Sequence, residues 1–266
     1  VVGGHVTSSS DVILQKTKVD VCIVGDGEIP LVNLLNYIVK TDKKEIDDNI
    51  FDGFKGLSWI DSNKKFRFSG YSNQIISNDL YFPDYKIVEM GLQNKKNWIK
   101  YFFPLARKDR ILAREHVKNN KYIPSDSGTI LYLPTSKGCV AKCTFCQRYS
   151  KGYRKYHLDK LEKYIVKMKE KYNVEVVNVI DENFGSDVKQ AKGFSDVMKR
   201  HNIFWYAGGV RCTTFGLDDL LYLSNNNCLW LKFGIEAGSQ KMLDVMQKTF
   251  SVADIVSAIE NTVKAG

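Results

Sequence analysis

No stretch of this sequence is long and apolar enough to cross a membrane, and no signal peptide or lipidation motif is visible in it. The 266 residues carry a formal net charge of +9, but the lysines are scattered and form no dense basic stripe interleaved with aromatic residues. The charge therefore permits a nucleic-acid partner without indicating one.

The G-x-G-x-x-G fingerprint of nicotinamide-binding domains is also missing. The N-terminal part instead has two short apolar strands that run into glycines, VVGGH at 1–5 and VDVCIVGDGE at 19–28. A helix with an apolar face follows the second strand. Glycine turns between a strand and a helix let a ligand approach the backbone closely. This pattern predicts an open α/β domain.

The six cysteines lack the two separated hooks that structural zinc uses. A single hook is present, C-x₃-C-x₂-C at Cys139, Cys143 and Cys146, and Cys212 and Cys228 lie far downstream without a close Cys or His. A disulfide framework is not expected, because a chain of this length buries a hydrophobic core that is stable without disulfide cross-links. The spacing favours an iron–sulfur cluster over zinc, and three cysteines leave one iron open.

The cysteine hook lies in a strand–loop–helix pattern that repeats over 129–266. The helix after the cysteines carries apolar residues at helical spacing, namely Leu161, Ile165, Met168 and Tyr172. Strands are predicted at 129–133, 174–180, 203–207 and 229–235, and the later helices at 186–200, 217–224, 241–247 and 252–264. Such repetition implies parallel strands joined by right-handed crossovers, so the fold class is α/β.

Polar side chains follow the carboxyl ends of these strands. Because such ends share one face in barrels of strands and helices, we expect these side chains to meet near the cysteines. They are Asp181, Glu182, Asn183, Arg211 and Glu236. Taken singly, 181–183 would be read as a helix N-cap and Arg211 as a solvated charge; their joint order is what predicts a site.

Together these landmarks resemble the radical S-adenosylmethionine (SAM) enzymes. The resemblance is carried by CVAKCTFC, DENF, VR and GIEAGS, in that order. It implies that Cys139, Cys143 and Cys146 ligate a [4Fe–4S] cluster whose fourth iron binds SAM. It also implies an electron donor such as flavodoxin or ferredoxin, and cleavage of SAM to a 5′-deoxyadenosyl radical. The SAM-binding residues that it implies are Phe145, Asp181, Glu182, Asn183, Arg211, Glu236 and Gly238.

The N-terminal part resembles the end of the cobalamin-binding domain that precedes the barrel in one class of radical SAM enzymes. VVGGH and VDVCIVGDGE carry this resemblance. It implies that the cobalamin pocket is lined by Gly3, Gly4, Gly25, Gly27 and Glu28. The D-x-H-x-x-G motif that supplies a cobalt-ligating histidine in some cobalamin proteins is absent, and His5 is interpreted as a turn residue.

We therefore expect a fragment, truncated at both ends, with three parts. Residues 1–45 are the C-terminal part of a Rossmann-like cobalamin-binding domain, 46–128 a connector with a small β-hairpin at 53–68, and 129–266 the first four βα units of a partial radical SAM barrel. A thiolate-held cluster fits a reducing cytoplasm.

The predicted function is a radical SAM enzyme, dependent on cobalamin, that methylates, cyclises or rearranges its substrate. A non-catalytic zinc module and an RNA-modifying radical SAM enzyme without cobalamin remain open. The tRNA methylthiotransferases carry a second cysteine cluster in their N-terminal domain, where this chain has Cys22 alone. Cys22, Cys212 and Cys228 are interpreted as small buried side chains.

Overall fold

The computed structural model describes residues 9–41, 53–73, 77, 80–91, 128–146 and 152–266. The chain divides into two compact units, one formed by 1–79 with 145–152 and the other by 80–144 with 153–266. None of the helices in the described ranges is long and apolar enough to span a membrane.

The first unit is built on a three-stranded antiparallel sheet. Its strands are β1 (Val21–Ile23), β2 (Leu57–Ile60) and β3 (Phe66–Phe68), in the order β1-β2-β3, with helices α1 (Ser10–Lys16) and α2 (Glu28–Thr41). Its core brings together Val21, Ile23, Leu34, Leu57 and Trp59. Val21 and Ile23 are two positions apart on β1, as are Leu57 and Trp59 on β2, so these four lie on one face of the sheet, where Leu34 of α2 packs against them.

The predicted hairpin over 53–68 is present as strands β2 and β3. Its turn is held by Asp61, which accepts the backbone N–H groups of Asn63 and Lys65 at 3.0 and 2.8 Å. Asp61 also pairs with Arg67 at 2.7 Å, and these donors hold the pKa of its carboxyl below the usual value. The predicted strand around 1–5 lies outside the described residues.

The second unit contains a four-stranded parallel sheet, which confirms the predicted α/β class. The strands of this unit are β4 (Thr129–Leu133), β5 (Ser136–Gly138), β6 (Tyr153–Lys155), β7 (Val174–Val179), β8 (Phe204–Val210) and β9 (Cys228–Phe233). The parallel sheet has the order β4-β7-β8-β9, so each new strand is added beside the previous one. All four carboxyl ends therefore lie at one edge.

Helices cover the sheet between its strands. They are α3 (Lys86–Gly91), α4 (Leu158–Tyr172), α5 (Val188–Arg200), α6 (Leu217–Asn225), α7 (Gln240–Val245) and α8 (Val252–Lys264). The predicted apolar stripe of α4 is buried along its whole length. This helix ends where Asn173 adopts a left-handed conformation with φ 52°, as helices commonly do.

Aromatic rings fill the layer between α5 and the sheet. Trp205 is fully buried, with its ring 5.5 Å from Phe184 and 5.3 Å from Phe194. Its indole N–H donates to the carbonyl of Asn226 at 2.8 Å, so the polar atom of the ring is satisfied inside the core. Phe184 is the last residue of the DENF run, and its burial fixes the loop after β7 onto the helix layer.

A short segment before the parallel sheet packs on α4. The ring of Phe82 stacks between Tyr156 and Tyr164, with centroids 4.7 and 4.4 Å away. The two tyrosine hydroxyls donate to the carbonyls of Tyr81 and Pro83 at 3.1 and 2.9 Å. The sequence pattern gave no indication of this stack, because it joins residues more than seventy positions apart.

Phe82→Ala should lower the free energy of unfolding by about 2 to 3 kcal/mol, since it removes a ring held on both faces. Urea unfolding followed by circular dichroism measures this loss. Tyr81→Ala is the matched control: its ring is 73% exposed, and it should cost less than about 0.5 kcal/mol. Equal losses in the two variants would contradict a stabilising role for the stack.

Candidate functional site

The cysteine loop begins at the carboxyl end of β4 and is closed at its base by a two-stranded ladder. Strand β5 pairs antiparallel with β6, bringing Ser136 opposite Lys155 and Gly138 opposite Tyr153. The sequence did not predict this ladder, whose strands are three residues each. The pairing of β5 with β6 therefore holds the two ends of the cysteine loop next to each other.

All six cysteines are free thiols. Cys139 and Cys143 are half-buried and Cys146 is exposed, whereas Cys22, Cys212 and Cys228 are buried, as expected. Within the described ranges, no three His, Cys, Asp or Glu side chains are grouped closely enough to hold a metal ion. The assignment of Cys139, Cys143 and Cys146 as cluster ligands therefore stays a prediction, which rests on the donor chemistry and the spacing.

The cysteine loop is tied between Cys143 and Cys146 to the end of α7. The backbone N–H of Thr144 donates to the carbonyl of Met246 at 3.0 Å, and its hydroxyl donates to the carbonyl of Val245 at 3.1 Å. These bonds join the loop after the first parallel strand to a loop after the fourth one. Cys139 and Cys143 are thus held near the edge where the parallel strands end.

Asp181, directly after β7, is buried and surrounded by donors. Its carboxylate accepts the backbone N–H groups of Thr135 and Ser136 at 2.6 and 3.0 Å, and their hydroxyls at 2.6 and 2.7 Å. Burial raises the pKa of the Asp181 carboxyl, against the effect of these four bonds. The neighbouring Glu182 accepts the backbone N–H of Gly138 at 3.0 Å. Both acidic side chains therefore bind the strand that leads into the cysteine loop.

Asn183 differs from its two neighbours. It is 2% exposed, and among the described residues its side-chain oxygen has no hydrogen-bond partner. A buried acceptor without a donor costs free energy and is uncommon in folded proteins. Asn183 therefore has an acceptor that is still available to a ligand.

Two adjacent glycines at the end of β8 have different surroundings. Gly209 has φ +69°, and a Cβ there would lie 2.9 Å from the backbone oxygens of both Asp181 and Glu182. Gly208 and Gly238, in contrast, have open space in place of a side chain, with nothing within 4 Å. Gly209 thus lets β8 approach the DEN backbone, while the other two glycines leave room in the site.

Arg211 is held between the cysteine loop and the segment before α8. One of its guanidinium nitrogens donates to the carbonyl of Lys248 and, at 2.7 Å, to the hydroxyl of Thr249. The other lies 4.0 Å from the sulfur of Cys143. The guanidinium centre is also 5.4 Å from the ring of Phe250, within the range of a cation–π contact.

Glu236 follows β9 and faces a buried lysine that the sequence pattern had not singled out. The Lys248 Nζ lies 3.5 Å from Glu236 Oε1, and the two side chains are 6% and 44% exposed. Lys248 also lies 5.3 Å from the Phe250 ring, the same ring that Arg211 contacts. No motif flanks Lys248, so only its burial beside Glu236 identifies it.

The remaining predicted residues belong to the first unit. Gly25 has φ +86°, and a Cβ on Gly27 would meet only the Ile23 side chain at 3.6 Å. Glu28 begins α2, and Phe145 is 50% exposed. Gly3 and Gly4 lie outside the described residues. The cobalamin-binding and adenine-binding roles of these positions stay predictions.

Residues 133–266, half of the chain, match the model of the Radical SAM superfamily. This protein belongs to the radical SAM superfamily. Over 272 residues it is 22% identical to the uncharacterized methyltransferase PH0819 of Pyrococcus horikoshii, covering 99% of this chain and 50% of that protein. The chain thus spans about half the length of this relative.

Two solved structures share the fold of this radical SAM chain. The apo form of the cobalamin-dependent SAM radical enzyme OxsB matches with a TM-score of 0.70 and 15% identity, covering 99% of this chain and 34% of that one. The radical SAM methyltransferase TsrM of Kitasatospora setae, with cobalamin and a [4Fe–4S] cluster bound, matches with a TM-score of 0.65 and 12% identity, covering 100% and 48%.

Gly209→Ala should lower the free energy of unfolding by about 1 to 3 kcal/mol, because it forces a left-handed conformation on a residue with a side chain and presses Cβ onto two carbonyls. Gly208→Ala, one residue earlier and with open space around it, should change it by less than about 0.5 kcal/mol. Thermal unfolding of both variants measures the difference. If Gly209→Ala is as stable as Gly208→Ala, the close approach of β8 to the DEN backbone is wrong.

Proposed function

We propose that this chain acts in a cobalamin-dependent radical SAM methyltransferase. The observation that carries the proposal is the cysteine hook of Cys139, Cys143 and Cys146 in a radical SAM domain, on the loop after its first parallel strand. Two of these thiols, Cys139 and Cys143, lie in a stretch with β5 paired to β6 at one end and Thr144 bonded to Val245 at the other.

The three thiols are the proposed ligands of a [4Fe–4S] cluster. Three protein ligands leave one iron able to bind SAM. When bound, such a cluster supplies the electron that breaks the C–S bond of SAM and yields a 5′-deoxyadenosyl radical. The chain itself contributes the loop anchors at Thr144 and strand β5, which restrict how far the thiols can move. The electron donor would be a protein such as flavodoxin or ferredoxin in a reducing cytoplasm.

The proposed SAM-binding residues are Asn183, Arg211, Glu236 and Gly238 of the second unit and Phe145 of the first. Asn183 offers its unused buried acceptor to the amino group of SAM, and Arg211 offers guanidinium N–H groups to the carboxylate. Glu236 is 44% exposed and can accept from the ribose or the amino group. Phe145, exposed next to Cys146, is proposed to pack on the adenine.

Methylation with cobalamin is supported by the names of similar proteins. PH0819 is called a methyltransferase, OxsB is described as cobalamin-dependent, and TsrM is a methyltransferase with cobalamin bound. When bound, cobalamin supplies a carrier for the methyl group. In this chain, the residues proposed to line its pocket are Gly3, Gly4, Gly25, Gly27 and Glu28.

Cys143→Ala should abolish SAM cleavage to 5′-deoxyadenosine and lower the iron content, because two thiolates cannot hold the cluster. The wild-type protein, reconstituted without oxygen, should carry about four irons per chain. Iron analysis and detection of 5′-deoxyadenosine by chromatography measure both effects. Cys228→Ala is the matched control, since that thiol is buried in β9 and should leave both readings unchanged.

A wild-type protein that takes up one zinc and no iron would contradict this function and favour the zinc module. Iron content and SAM cleavage that survive in Cys143→Ala would show that this thiol is not a ligand.

The cobalamin proposal predicts uptake of about one cobalamin per chain by the native protein. Gly27→Leu should reduce this uptake at least tenfold, because a bulky side chain fills the gap left by the glycine turn. Absorbance of the bound corrinoid after gel filtration gives the ratio. Gly91→Leu, at the end of α3 where a Cβ meets nothing within 4 Å, is the control. Exclusion of cobalamin by the wild-type protein would remove methyl transfer through cobalt from the proposal.

A further inference from the structure

We infer that Asp181 and Glu182 are positioning residues whose carboxylates fix the strand leading into the cysteine loop, and that the Asp181 carboxylate does not contact SAM. The inference rests on the proposed function, because it assigns these residues a part in holding the iron–sulfur site. It differs from the role that the family resemblance implies for them, which is to bind SAM together with Asn183.

The hydrogen bonds of Asp181 leave its carboxylate no capacity for a ligand. An ionised carboxylate has about four acceptor positions, and Asp181 accepts four bonds, all from Thr135 and Ser136. Both its oxygens receive one backbone or hydroxyl donor from each of these two residues. A SAM molecule would therefore have to displace one of these donors to bind the Asp181 carboxylate.

Glu182 acts at the residue that precedes the first cysteine. Its Oε1 accepts the backbone N–H of Gly138 at 3.0 Å, and Gly138 has φ +83°. The chain therefore changes direction at Gly138, in a conformation that side chains rarely adopt. A carboxylate bound to that N–H fixes the orientation of the peptide between Lys137 and Gly138, immediately before Cys139.

The backbone of the two acids is itself fixed from the other side. The Cα of Gly209 packs against the carbonyls of Asp181 and Glu182, closely enough that a Cβ would come within 2.9 Å of each. Strand β8 thus supports the acids, and the acids support β5. These contacts fix the start of the cysteine loop relative to the parallel sheet.

The simplest competing explanation is that the acids cap the next helix. In the structure, α5 is capped by Asp187, whose side chain accepts the backbone N–H of Gln190 at 3.0 Å. Asp181 and Glu182 lie five residues or more before this cap, and the partners given for them above are on the cysteine-loop side. Capping therefore does not explain why both carboxylates are turned toward β5.

Two substitutions at Asp181 separate its hydrogen bonds from its charge. Asparagine keeps one oxygen for the two N–H groups, and its NH₂ can donate to the two hydroxyls, which also accept. Leucine has a similar size and offers no acceptor, so four buried donors lose their partner. Asp181→Asn should behave like the wild type, and Asp181→Leu should release the loop.

The deciding measurement is hydrogen exchange at the backbone amides of 135–143 in the protein without iron. Asp181→Leu should speed exchange there about tenfold or more, whereas Asp181→Asn should stay within about twofold of the wild type. In protein that has been loaded with iron, Asp181→Leu should also lose iron to a chelator about tenfold faster. SAM affinity in Asp181→Asn should be unchanged.

Asp219→Leu is the matched control. That carboxylate accepts the N–H of Gly216 at 3.1 Å and pairs with Lys192 at 2.6 Å, at the start of α6. Its loss should lower thermal stability but leave exchange at 135–143 and iron release unaltered. If Asp181→Leu does not fold, the Thr135→Val, Ser136→Ala double variant removes the two hydroxyl donors and should speed exchange at the same amides.

Unchanged exchange at 135–143 in Asp181→Leu, or in the double variant, would overturn the inference. So would faster exchange without faster loss of iron. SAM binding that weakens tenfold in Asp181→Asn, with normal exchange, would instead make Asp181 a SAM contact. A wild-type protein that takes up no iron would refute the proposed function, and the exchange experiment would still show whether the two acids hold the strand.

Discussion

The bond set between Asp181 and the Thr135–Ser136 pair is the contact on which the rest of the site depends. It joins the residue after β7 to the chain that leaves β4, at the point where two adjacent parallel strands end. Because the carboxylate is buried, a lost donor cannot be replaced by water at little cost. The entrance to the cysteine loop is therefore positioned by the sheet.

A second set of contacts closes the site from the opposite direction. Thr144 is bonded to Val245 at the end of α7. Arg211, at the end of β8, donates to Lys248 and Thr249, which follow α7. These bonds connect residues that are 37 to 101 positions apart in sequence. Arg211 consequently links Cys143 to the chain before α8, and a substitution at Arg211 should alter the surroundings of Cys143.

The sequence predicted the parts of the fold that follow from hydrophobic periodicity. The predicted bounds of the four parallel strands and of the helices between them lie within a few residues of the observed ones. This agreement arises because buried strands are continuous apolar runs and the apolar residues of α4 recur at helical spacing. Strands β5 and β6 were missed since three residues give no periodic signal. The positions of Asp181, Glu182, Arg211 and Glu236 at strand ends could be read from their order, but the partners of their side chains could not.

The hydrogen-bond partners of Asp181, Glu182 and Asn183 determine the role of each side chain, and local packing determines which partners each one meets. Asp181, Glu182 and Asn183 are consecutive, so their side chains point in different directions and cannot all face one ligand. The first two meet N–H and hydroxyl donors of the chain from 135 to 138, and the third is buried without a partner among the described residues. A motif of three polar residues is thus divided by its surroundings into two that hold the loop and one that remains available. The arrangement also requires glycine at position 209 on the next strand, because a side chain there would displace the backbone of Asp181 and Glu182.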